Sequence, residues 1–99
     1  MKSLLNLNPL LSDRIRLAIM VALVTSKEPL DFNVLLSALE VTKGNLSTHL
    51  RKLEEGGLIT IKKDFLGRKP HTTYQETKQG KKDVQDYLKT IENILKKGI

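Results

Sequence analysis

The apolar positions of the chain change period several times, and each change marks a new element. Residues 1–11 hold Leu4, Leu5, Leu7, Leu10 and Leu11, interrupted by Asn6, Asn8 and Pro9. So dense a leucine set must leave water, on its own core or across a dimer, and Asn8-Pro9 argues against a regular helix; an irregular arm is predicted. From Asp13 to about Thr25 nearly every position is apolar (Ile15, Leu17 to Val24), the mark of a helix buried on most sides. Ser12 is the expected N-cap, with Asp13 near the positive end of the helix. Ser26-Lys27-Glu28-Pro29 reads as a turn and Leu30 as the start of a very short strand. Asp31 then caps a second helix over about 32–39, with Leu35, Leu36 and Leu39 inward.

A third helix is predicted over 42–56. Leu46, Leu50 and Leu53 form one stripe, Thr42 is a candidate N-cap for the N–H of Gly44 or Asn45, and Gly56-Gly57 is a stop. The opposite side offers Gly44, Asn45, Ser47, Thr48, Arg51 and Lys52, small donors and acceptors with two cations among them. The short connection Glu40-Val41-Thr42 contains no glycine, and Val41 is expected to face the core. Two helices so joined, the second polar on its front, make a helix-turn-helix. Such a front suits the major groove of duplex DNA, where hydrogen-bonding side chains meet base edges and cations meet phosphates. An ordinary amphipathic surface helix is the alternative.

After Gly57 the period shortens to alternation. Leu58 to Phe65 reads as a strand, Leu66 to Pro70 as a turn tipped by Arg68 and Lys69, and His71 to Thr77 as the return strand, giving a hairpin over 58–77. Directly after a helix-turn-helix such a hairpin is a wing, whose tip can reach DNA backbone or minor groove; a plain surface hairpin is the alternative. Thr77 then caps a last helix over 78–97. Val84, Leu88, Ile91 and Leu95 form a heptad-like seam that Tyr87 and Ile94 widen. The seam is expected to meet the arm (Leu4, Leu5, Leu7) and the same helix of a second subunit, with packing on its own core as the alternative. The predicted fold is one domain over 1–99, mainly α with a small β-hairpin: a winged helix-turn-helix in the order α-α-α-β-β-α, with a possible very short strand before the second helix.

Charge sharpens the picture. The net charge is +6, and residues 42–82 carry all of it, ten cations against four anions, while the flanks balance. That asymmetry favours a polyanionic partner at the middle segment. Arg14 and Arg16, near the start of the first helix, could reach a phosphate, but surface solvation is the preferred reading for each. Cysteine is absent, which removes disulfides and thiolate metal sites. Four aromatics are too few and scattered for a single-strand stacking platform. No apolar run approaches the ~20 residues that span a bilayer, and the interrupted leucines with no small-residue cleavage site do not read as a signal peptide. A cytoplasmic location is expected. No Glu-x-x-His, P-loop, Gly-x-Ser-x-Gly or Cys-His pair is present, so no enzyme is predicted and no catalytic residue assigned. The lone histidines, His49 and His71, lie on either side of the first hairpin strand. For His49, packing with a satisfied ring nitrogen is preferred over a ligand role, and no metal site or cofactor is expected.

Two patches carry a family likeness. The first is Leu46-Ser47-x-His49-Leu50-x-x-Leu53 followed by Gly57-Leu58-Ile59. The second is Gly67-Arg68, then Tyr74, then Thr77-x-x-Gly80 opening a long helix. In this order and spacing the chain resembles the small archaeal and bacterial winged-helix transcriptional regulators near the MarR-like and ArsR-like groups, over about residues 10–95. The resemblance implies a DNA-binding homodimer, with the 43–53 helix in the major groove and the 65–71 wing beside it. Lys43, Asn45, Ser47, Thr48 and Arg51 would face DNA, with Gly44 and Lys52 on the same helix, and Arg68 with Lys69 would serve as wing contacts. The chain lacks the cysteines and clustered histidines of metal-sensing members. Double-stranded DNA and a second copy are the expected partners, with no membrane and no assigned effector. A winged-helix protein-interaction module with only non-specific nucleic-acid affinity is the alternative function.

Overall fold

The computed structural model describes residues 4–98; residues 1–3 of the predicted arm and Ile99 lie outside the described residues. Two 3-10 turns, Leu4–Asn6 and Pro9–Ser12, lead into α1 (Arg14–Thr25), β1 (Leu30–Asp31), α2 (Phe32–Leu39), α3 (Lys43–Glu55), β2 (Ile59–Leu66), β3 (Lys69–Glu76) and α4 (Lys78–Lys97). The fold is the α+β arrangement read from the sequence, with the short strand before α2 present. β1, β3 and β2 form a three-stranded antiparallel sheet in that order, with Leu30 opposite Tyr74 and Ile61 opposite Tyr74 from the other side. α1 is the centre, packed against α2, α3, α4 and β3. Its Ile19, Met20 and Leu23 are fully buried with Leu35, Leu46, Leu50, Leu53 and Leu58. The molecule is elongated, 54 × 25 × 22 Å.

The capping residues do local work. Asp31 accepts from the Val34 N–H and Thr42 from the Asn45 N–H, starting α2 and α3. The cap of α1 is Asp13 rather than the predicted Ser12. Its carboxylate accepts from the N–H groups of Ile15 and Arg16 at 2.8 and 3.0 Å, while Ser12 ends the preceding 3-10 turn. With Ser12 taken up in that turn, Asp13 holds the cap position, where its charge suits the positive helix end. The helix-turn-helix joint is made without a glycine, as its sequence requires. It places Glu40 itself in the left-handed region at φ 53°, ψ 45°, with its N–H on the Leu36 carbonyl.

α3 ends in a Schellman motif. Gly57 takes φ 78°, its N–H donates to Glu54 O, and the Leu58 N–H reaches back to Leu53 O at 3.0 Å. Leu53 and Leu58, the apolar pair that accompanies this motif, are both fully buried. The start of α4 then locks onto the same backbone. The Thr77 N–H donates to Leu58 O at 3.0 Å, its hydroxyl donates to Gly57 O at 2.7 Å, and the same hydroxyl accepts from the Gly80 N–H at 2.9 Å. Gly80 lies so close to Leu58 that a Cβ there would overlap the Leu58 carbonyl.

The predicted five-residue hairpin turn is tighter in the structure. Leu66 pairs with Lys69, so Gly67 and Arg68 alone make the turn, with Gly67 at φ 63°. Pro70 falls inside β3, opposite Phe65. Across a two-residue turn Leu66 and Lys69 form the hydrogen-bonded pair, so Phe65 and Pro70 form the next, non-bonded pair, where a proline forfeits no ladder bond.

The C-terminal seam divides. Val84 is buried in the chain's own core with Tyr87 packed beside it, and Leu7 of the arm is also buried. Val84 and Leu7 therefore serve the intrachain core, correcting their assignment to a partner, while Tyr87 packs on that core with part of its surface open. The reason is α1: its remaining apolar side needs a cover, and the first half of α4 supplies it. Leu88 and Leu95 stay exposed, and Ile91 and Ile94 are half-buried.

The Gly80 contact generates a stability test. Gly80→Ala should destabilise by about 1–3 kcal/mol, because the obstructing atom is backbone and cannot turn aside. That is on the order of a 10 °C loss in melting temperature, read by circular dichroism.

Candidate nucleic-acid interface

α3 presents its front because its back is clamped. Leu46, Leu50 and Leu53 are fully buried against the core. Between them, His49 receives a contact from Arg16, Nη1 to Nδ1 at 3.1 Å, while Arg16 Nε donates to Leu10 O at 2.8 Å. Asp13 completes the group at 3.9 Å from His49. The Arg16 N–H holds the Asp13 carboxyl below its usual value, with His49 adding to the effect against the opposing cost of burial. Arg16 is thus committed to tying the arm and α1 to the back of α3, and the surface role left open for it in the sequence is corrected. His49 is a packing histidine with a partnered ring nitrogen.

The front is open. Lys43, Gly44, Asn45, Ser47, Thr48, Arg51 and Lys52 are all exposed. At 100° per residue Gly44, Ser47, Thr48 and Arg51 fall within one stripe opposite the leucines, while Lys52 lies to one side. A Cβ on Gly44 would meet nothing within 4 Å, so no packing within the protein requires a glycine there.

The hairpin stands beside this front. A groove between the two is lined by Ser47, Leu50, Arg51 and Glu54 of α3 and by Ile61, Lys63, Thr72 and Tyr74 of the sheet. Burial raises the Tyr74 phenol above its usual pKa, with Glu54 contributing, so the hydroxyl stays protonated in the neutral range. Arg68 and Lys69 are exposed at the hairpin tip. Lys63 and Thr72 are the residues that sequence reasoning missed. Their signal was available, since strand alternation places both on the face of Ile61 and Tyr74, but which face borders α3 is a tertiary fact. His71 sits instead among Asp64 at 3.4 Å and Asp31 at 3.7 Å. Among the described residues, no group of three or more His, Cys, Asp or Glu is placed to hold a metal ion, and no helix is long and apolar enough to cross a membrane.

Comparison with known proteins agrees with the geometry. A family model described as a winged helix DNA-binding domain matches residues 15–95. An uncharacterized protein of Methanocaldococcus jannaschii is 34% identical over 76 residues, 77% of this chain and 83% of the relative. A transcriptional regulator homologue from Pyrococcus horikoshii superposes with a TM-score of 0.82 at 28% identity, covering 90% of this chain and 87% of that one. Bacillus subtilis PadR, solved in complex with operator DNA, has a TM-score of 0.68 at 24% identity, covering 77% of this chain and 48% of its own.

Gly44 separates folding from binding. Gly44→Ala should stabilise the free protein by up to about 0.5–1 kcal/mol, since alanine orders helix better and fits the open space. If bases approach the front there, the same methyl should weaken duplex binding by about tenfold. Thermal melting and gel-shift on the same preparations read the two opposed effects.

Proposed function

The chain belongs to the winged helix DNA-binding domain family, and from that premise we propose that it is a sequence-specific regulator of transcription that binds duplex DNA as a homodimer. α3 enters the major groove, and the tip of the β2–β3 hairpin contacts the backbone or minor groove alongside. The observation that carries this reading is the groove that puts Ser47 and Arg51 of α3 on one surface with Lys63 and Thr72 of the hairpin. One duplex can meet both elements together. The charge agrees, because residues 42–82, which include both elements, hold the whole net excess. The solved PadR–operator complex shows that a protein of this fold can hold an operator; here it serves as an analogy for the docking mode.

The division of labour follows from chemistry. Asn45, Ser47, Thr48 and Arg51 carry directional hydrogen-bonding groups toward base edges, while Lys43, Lys52, Arg68 and Lys69 neutralise phosphates. For the dimer, the support is apolar surface that the chain leaves uncovered. Leu88 is 46% and Leu95 82% exposed on α4, next to half-buried Ile91 and Ile94, and the Leu4–Asn6 turn packs on the same helix. Two copies related by a two-fold axis would cover this strip and set two α3 helices about 34 Å apart, one turn of DNA.

A duplex selected from a randomised pool by the wild-type chain tests the reading face. Arg51→Ala and Thr48→Ala should weaken the selected duplex by about 1–3 kcal/mol each and leave non-specific binding little changed. Arg68→Ala should weaken both alike and reduce the salt slope by about one. Enrichment of no sequence at about 150 mM salt would instead favour a protein-interaction module. The dimer is tested separately: the pair Leu88→Glu and Ile91→Glu should scatter light as a folded monomer, and a wild type that is monomeric at about 50 µM would refute the interface.

A further inference from the structure

The tip of the hairpin carries two large apolar side chains that stay mostly exposed. Phe65 is 69% and Leu66 64% exposed, directly beside the Gly67–Arg68 turn. The sheet register says which way each faces. Directly opposed residues share a face, so Ile61 with Tyr74, Lys63 with Thr72, and Phe65 with Pro70 form one row. The first two pairs of that row line the groove against α3. Phe65 and Pro70 therefore extend the α3-side face of the hairpin beyond the end of the groove. The other face carries Lys62, Asp64, Leu66, Lys69, His71 and Thr73; Asp64 lies 3.8 Å from Lys62 and 3.4 Å from His71, and Asp31 of β1, opposite Thr73, lies 3.7 Å from His71. Thus the α3-side row beyond Tyr74 holds a lysine, a threonine, a phenylalanine and a proline, and no anion.

We propose that Phe65 is an apolar DNA contact: a wedge that the wing presses against sugar faces and a base step in the minor groove, backed by Pro70 and anchored by Lys63 and Arg68 on the flanking phosphates. The occupant is duplex DNA because cations bracket the apolar pair and the row is continuous with the α3 groove. Phe65 and Pro70 form a non-hydrogen-bonded pair, the kind whose facing side chains come closest, so the proline limits the ring's freedom before DNA arrives. An apolar side chain opening a base step pays least where stacking is weak, so flexible TA or CA steps should recur in bound sites where the wing lies. The proposal rests on the DNA-binding reading above and adds a specificity element that reads deformability rather than base edges.

The test uses the duplex selected by the wild-type chain. Phe65→Thr keeps strand propensity and should fold normally, but lose about tenfold in affinity for that duplex with an unchanged salt slope, because no counterion is involved. Arg68→Ala, by contrast, lowers the slope. Moving the TA or CA step out of the wing position should reproduce the loss for wild type and cost the Phe65→Thr variant little. The chain has no tryptophan, so Phe65→Trp supplies a single indole reporter, whose emission should shift and resist acrylamide quenching when the duplex is added. If wild type selects and binds a duplex, yet Phe65→Thr binds equally and the indole stays open to quencher, this inference alone is overturned. If wild type binds no duplex, the DNA reading falls and takes the inference with it.

Discussion

The close approach of α4 to the Gly57–Leu58 backbone holds the binding face together. At that point the end of α3, the start of β2 and the first turn of α4 share hydrogen bonds through one threonine, Thr77. The approach requires a missing side chain at Gly80 and a left-handed residue at Gly57. With the joint fixed, β2 must leave α3 at a set angle and β3 must return to the same place. The hairpin is therefore aimed by its base, because its outer half touches little else. The Gly-Leu-Ile and Thr-x-x-Gly patches that carry the family likeness are the two sides of this joint.

A second clamp works behind α3. Asp13, Arg16 and His49 link the start of α1 to the rear of the helix, and Leu10 of the arm lies against Gly56 at its end. With its back occupied by three leucines and an anchored histidine, α3 can only show its polar front. Electrostatics and geometry then agree: the segment with the surplus of positive charge gives its leucines to the core and leaves Lys43, Arg51, Lys52, Arg68 and Lys69 exposed. This coincidence of free cations with a rigid scaffold makes the surface suited to a stiff, highly charged partner.

Much of this was legible in the chain. The leucine stripe of α3, the caps at Asp31, Thr42 and Thr77, and the change to strand alternation after Gly57 are local signals, and the structure follows them. The departures arise where a tertiary neighbour decides. Asp13 rather than Ser12 caps α1 because the preceding residues coil into a 3-10 turn that ends at Ser12. Val84 and Tyr87 share a period with Leu88 and Ile91, so periodicity could not say which of them would cover α1. Lys63 and Thr72 were invisible as groove residues until the sheet's orientation was known.

Asn8 Nδ2 donates to Asp83 Oδ2 at 2.9 Å across a sequence separation of 75 residues. The arm and the closing helix thus meet only after nearly the whole chain has been gathered between them, a long and entropically costly closure. The exposed apolar strip of α4, with the Leu4–Asn6 turn packed on the same helix, belongs to these same two segments. If two copies pair as proposed, that pairing draws on both segments and would have to follow this closure within each chain.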